Sequence, residues 1–213
     1  MDDWIARDGL VERERLRAFS SKSDPRGWAQ TASHAGAIAA TTAGLVWLVS
    51  AAPWTWVPLF FAQGVLINCL YAGQHELSHW TVFRTKALND VVGQVFGFAT
   101  FNPFRTDRYL HFAHHRATND PRRDPELMGT GAYTLVSYTL DLFAISFWWR
   151  RVAGIVQTAA GRGLDGAYWL DEQGRRTVVV EARIYVALWV AIAAVSALLR
   201  SWAPVGLWIG PLL

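Results

Sequence analysis

The chain has 213 residues, of which 52% are hydrophobic, 14% aromatic and only 17% charged, and its mean hydropathy of +0.15 leans away from an ordinary soluble domain. A net charge of +3 and a pI near 9.3 would suit nucleic acid if the basic residues formed one stripe, but they lie between apolar runs, so no nucleic acid partner is expected and a membrane is. The single cysteine, Cys69, excludes a disulfide framework, a CxxC redox pair and a cysteine-built zinc ribbon.

In chain order, residues 2–20 form a mixed-charge helix candidate. It is either a solvated face or a surface anchor through Trp4, Ile5, Leu10, Val11, Leu16 and Phe19. No apolar core suitable for a cleavable signal occurs in residues 1–27. From His34 to Ala52 the polar side chains are His34, Thr41, Thr42 and Ser50; a helix of this length rises about 29 Å, enough to span a bilayer. Pro53, Trp54 and Trp56 then break the run with interfacial aromatics, and residues 57–73 are apolar again, which reads as a tight helical hairpin. Residues 87–104, interrupted by Gly93, Gly97 and Pro103, and residues 131–149, with Asp141 near the middle, read as helices lying in the interface. Gly161 to Arg183 reads as a polar connector with a short hairpin around Gln173-Gly174. A third apolar run covers 184–199, and a fourth, 205–213, is about 14 Å long, less than half a bilayer.

Basic residues accumulate on the cytoplasmic side of membrane proteins. Here six precede His34, none lies in the first hairpin loop, thirteen fall between Arg84 and Arg183, and Arg200 stands alone beyond. The N-terminus and the long middle segment are therefore expected in the cytoplasm. The expected fold is all-α: integral membrane helical hairpins with cytoplasmic or interfacial helices that carry clustered histidines. A cytoplasmic amphipathic segment, 1–33, would precede a multi-pass membrane domain, 34–213.

Five of the six histidines fall in the middle segment as two clusters, His75-Glu-Leu-Ser-His79 and His111-Phe-Ala-His114-His115. Positions i, i+3 and i+4 share a helix face, so each cluster aims its imidazoles at one point. A lone histidine such as His34 reads as a polar cap or an interfacial side chain rather than a ligand. Five on two faces at an apolar boundary have no packing rationale and suit metal coordination. HELSH is also a literal HExxH, the zinc-protease helix with Glu76 as general base, and Asp165 would then be the third ligand. Against that, the protease reading leaves His111, His114 and His115 unemployed, and five imidazoles exceed one tetrahedral site but suit two irons.

HELSH at 75–79 and HFAHH at 111–115 are joined by Phe83-Arg84, Leu88-Asn89-Asp90 and Gly93 and followed by Thr118-Asn119-Asp120-Pro121 and Asp124-Pro125-Glu126. Together they resemble the membrane fatty acid desaturase family. The resemblance implies a cytoplasm-facing centre of two non-haem irons, with His75, His79, His111, His114 and His115 as ligands. It further implies activation of O2, desaturation of a membrane lipid or acyl substrate, and an electron donor of ferredoxin or cytochrome b5 type. Glu76, Asp107, Asp120 and Asp124 are the carboxylates that could orient the imidazoles. The same chemistry serves hydroxylation or ketolation of a lipid, carotenoid or alkane. Intramembrane zinc proteolysis and a non-catalytic protein with decayed clusters are the remaining alternatives. The family carries a third histidine box, and nothing after His115 is histidine. The chain is therefore expected to be C-terminally incomplete and unable to hold both irons stably.

Overall fold

A computed structural model of the chain describes residues 12–127 and 134–213. Every regular element among them is helical, as the apolar runs predict. Trp4, Ile5, Leu10 and Val11 of the N-terminal helix candidate, and residues 131–133 of the run 131–149, lie outside the described residues.

A short helix α1, Arg13–Phe19, precedes α2, Asp24–Ala51. Helix α2 starts where Ser23 is extended and Asp24 and Pro25 occupy the first turn, where a carboxylate faces free N–H groups and proline sacrifices no hydrogen bond. It thus begins ahead of the expected span at His34, and the boundary drawn at 33/34 falls within one continuous helix. A 3-10 turn at Pro53–Thr55 leads into α3, Trp56–Ser78. Helices α4, Lys86–Ala99, and α5, Phe104–Ala117, follow, then α6, Leu135–Leu142, α7, Ile145–Ala159, and α8, Glu172–Leu198. A π-helical turn at Val205–Ile209 ends in α9, Gly210–Leu212.

Two expectations need correction. The run 131–149 is not one helix, because Ala144 adopts φ 55 and separates α6 from α7. No hairpin forms at Gln173-Gly174: α8 already begins at Glu172, with Asp171 accepting from the Gly174 N–H at 2.6 Å as its cap. Gly174 suits this first turn because Leu170 and Tyr109 pack over its α-carbon.

Helices α3 and α8 are long and apolar enough to cross a bilayer. Both leave large apolar side chains bare, among them Phe61 and Val65 on α3 and Val190 and Leu198 on α8. Apolar surface of that kind is stable against lipid and costly in water. The helices are tied by buried polar groups. Gln63 donates to Thr42 at 2.8 Å and to the Leu207 carbonyl at 3.1 Å and also meets the Thr41 hydroxyl, while the His34 Nε2 lies 2.8 Å from the Leu66 carbonyl. Helix α3 therefore lies between α2 and the C-terminal turn, and His34 serves as a helix-to-helix tie.

The apolar cluster Leu77, Phe83, Val92 and Phe104 fixes the end of α3 against α4 and α5. Glu181 of α8, 5% exposed, fixes the start of α5. Its carboxylate accepts from the backbone N–H of Arg105 at 2.7 Å and of Thr106 at 3.0 Å, and from Gln94 of α4 at 2.7 Å. An anion at free helical N–H groups satisfies donors that have no partner within the helix and complements the helix dipole.

Candidate metal centre

His75 occupies the last turn of α3 and His79 follows its final residue. The helix stops there because Trp80 takes the left-handed conformation, φ 56, uncommon for so bulky a residue. Its surroundings hold it in place. The indole N–H donates to Asp90 at 2.9 Å, the Arg108 guanidinium lies 3.8 Å over its ring, and Arg108 also donates to Asp90 at 3.2 Å. One aromatic residue thus locks the end of α3 to α4 and α5, the two elements that must stay in register for the histidines to meet.

The five imidazole rings of the middle segment lie near one another, and the ligand atoms of three of them, His75, His79 and His111, converge as one group. Ring centroids of His75 and His111 are 4.3 Å apart, those of His79 and His111 5.0 Å, and those of His111 and His115 4.4 Å. His114 stands 5.8 Å from His115. Ligand nitrogens of His75, His79 and His111 all lie within 4.8 Å of one another. Nε2 of His111 lies 2.9 Å from Nε2 of His79 and 2.9 Å from Nε2 of His115. A neutral imidazole nitrogen carries either a proton or a lone pair, so His111 can complete a normal hydrogen bond to one of these neighbours and not to both. A cation shared by these rings would resolve the arrangement, and the donor set fits iron, which accepts imidazole nitrogen.

Burial lowers the pKa of His79, and the charges of His111 and His75 lower it further. Burial likewise lowers His111, aided by His75 and His115. Both shifts favour the neutral ring, the form that binds metal. His114 behaves oppositely: its hydrogen bond to Asp124 raises its pKa. Asp124 is fully buried, which alone opposes ionisation, yet the bond to His114 and backbone donors from Glu126 and Asn119 outweigh burial and lower its pKa.

The carboxylates singled out in the sequence occupy different positions. Asp124 contacts His114 at 2.9 Å. Asp107 accepts from Gln74 at 3.3 Å, and Gln74, fully buried between the Thr100 hydroxyl and the Asn102 carbonyl, sits next to His75. Asp120 accepts from the Arg122 N–H and shapes the following turn. Glu76 is exposed and accepts from the Thr81 hydroxyl at 2.8 Å. That orientation does not favour Glu76 as a base over a metal-bound water, and Asp165 is an exposed connector residue. A further carboxylate, which its position in the sequence does not single out, is Glu126, whose oxygens lie 3.6 Å from Nδ1 of His111 and of His114. Its sequence signal is only its place two residues after Asp124 in the Asp-Pro-Glu turn.

A family model described as fatty acid desaturase matches residues 51–213, more than half the chain. Among curated proteins, the chain is 30% identical over 116 residues to the sn-1 oleoyl-lipid 12-desaturase of Arthrospira platensis, covering 50% of this chain and 32% of that protein. It is 25% identical over 111 residues to the enzyme of the same description from Anabaena variabilis, covering 48% and 32%. Over 80 residues it is 29% identical to the chloroplastic omega-6 fatty acid desaturase of Spinacia oleracea, covering 37% and 18%. The matched stretch is thus about a third or less of the length of these relatives. No solved structure matches.

Proposed function

The chain belongs to the fatty acid desaturase family, and from that premise we propose that it acts in O2-dependent desaturation of a fatty acyl chain of a membrane lipid, with non-haem iron held by His75, His79, His111, His114 and His115. The observation that carries this reading is the pair of 2.9 Å contacts that Nε2 of His111 makes with His79 and His115. The basic residues of the middle segment support a cytoplasmic location for the cluster, within reach of a ferredoxin- or cytochrome b5-type donor.

An unactivated C–H pair offers neither an acidic proton nor a leaving group, so acid-base side chains alone cannot open it. Iron, when bound, supplies the redox chemistry with O2 that such a bond requires. In overall balance the acyl chain loses two hydrogens, the donor delivers two electrons with two protons, and O2 leaves as two waters. The protein's own residues hold and orient. Neutral His79 and His111 present lone pairs. Asp124, fixed by backbone N–H groups, accepts from Nδ1 of His114 and so selects its Nε2 as the ligand nitrogen. Gln74, the chain neighbour of His75, donates to Asp107, and Leu77, Phe83, Val92 and Phe104 form a buried apolar cluster at the end of α3.

Metal analysis of the purified 213-residue chain, combined with acyl-chain profiling of a host that lacks its own desaturase, tests the proposal. Iron should copurify, and His79→Ala and His111→Ala should each lose it along with any new double bond. Zinc in place of iron, or iron retained after replacement of all five histidines, would refute it.

A further inference from the structure

On the other side of α4, a groove of about 750 Å3 runs between α4 and α8. Along α8 it is lined by Arg176, Val180, Ile184 and Leu188, a stripe at every fourth residue. From Arg176 to Leu188 the helix rises about 18 Å, close to the ~15 Å of hydrocarbon in one leaflet. Val95 and Phe98 of α4 form the opposite wall. The apolar walls are bare, with Val95 60%, Ile184 53% and Leu188 48% exposed.

The basic side chains that line the groove are Arg105 and Arg176. Glu181 also lines it, but its carboxylate is already engaged by Gln94, by the backbone of Arg105 and Thr106 and by the Thr106 hydroxyl. Arg176 pairs with Glu172 at 3.0 Å, and both side chains are more than three-quarters exposed. Such a surface pair contributes little, and a phosphate can displace it. Two arginines lining an apolar slot about one leaflet deep complement a phosphate joined to an acyl chain.

We propose that this groove binds an anionic glycerophospholipid, its phosphate between Arg105 and Arg176 and one acyl chain along Val180, Ile184 and Leu188, as a site separate from the histidine cluster. The site stands whether or not the cluster holds iron.

The full chain, reconstituted in vesicles of phosphatidylcholine with and without phosphatidylglycerol, is released into native mass spectrometry and its retained lipid identified. Phosphatidylglycerol should be preferred roughly 30-fold, as two basic groups near an anionic headgroup imply. Arg105→Gln/Arg176→Gln should abolish the preference, and Arg105→Lys/Arg176→Lys should keep most of it. Ile184→Trp, which fills the slot and leaves both arginines, should lose the retained lipid. If the double glutamine variant fails to fold by circular dichroism, the tryptophan variant decides. Equal retention of both lipids, an unchanged preference in the variants, or a doubled particle mass that Ile184→Trp dissociates would overturn the proposal, the last by making the groove an interface between copies.

Discussion

The fully buried carboxylate of Asp124 lies 2.9 Å from Nδ1 of His114, and the same carboxylate accepts from the backbone N–H groups of Asn119 and Glu126. A single side chain thus joins the turn after α5 to one imidazole of the cluster and fixes which ring nitrogen faces inward.

Replacing it tests that role. Asp124→Asn keeps the shape but removes the charge and can present an amide N–H to His114. Loss of such an orienting carboxylate typically weakens metal affinity 10- to 100-fold. Helix content by circular dichroism should stay the same, while iron retention against a chelator titration should fall by that factor. Retention equal to wild type would separate Asp124 from the metal centre.

The histidine cluster was readable in the sequence because i, i+3 and i+4 spacing maps directly onto a helix face, and His75, His79, His111, His114 and His115 need only two elements to bring them together. The start of α8 was not. Residues 171–183 carry six charged side chains and a glycine, which mimics a loop, whereas the deciding facts are the Asp171 cap and the packing of Leu170 and Tyr109 over Gly174. Glu181 and Glu126 were missed for a related reason. Their partners lie on other helices or across a turn, and the periodicity of one element carries no record of such contacts. Trp80 likewise reveals its role only once Asp90 and Arg108 are beside it.

Glu181→Ala removes an acceptor shared by Gln94, Arg105 and Thr106. Losing a helix cap costs up to about 2 kcal/mol, and each buried donor left unsatisfied adds about 1–3. The thermal midpoint in vesicles should drop sharply. Glu181→Gln should be milder, since its amide oxygen can still accept from one N–H of α5. Equal midpoints for the alanine variant and the wild type would contradict the capping role.

Arg108→Lys tests the lock on Trp80. Lysine keeps the charge but loses the planar stack over the indole and the fork toward Asp90. Paired with Asp90→Asn in a double-mutant cycle, the coupling should be about 0.5–3 kcal/mol, the range for contacting groups in one network. Additive effects within experimental error would mean that Arg108 and Asp90 do not act together.

Asp24, in the first turn of α2, accepts from the Thr85 hydroxyl at 2.7 Å and from the Thr85 N–H at 2.9 Å. The hydroxyl bond, then the backbone bond, lowers its pKa below the ordinary 3.8. A carboxylate with a depressed folded-state pKa contributes stability that is present above its unfolded value and is lost as pH falls through the folded value. Unfolding midpoints measured downward from pH 5 should therefore decline below about pH 4, and Asp24→Asn should flatten part of that decline. Because the bond spans from α2 to the loop before α4, hydrogen exchange at Thr85 should accelerate over the same window. A Thr85 amide whose protection is the same at pH 5 and pH 3, after correction for the intrinsic rate, would show that this bond does not hold the loop.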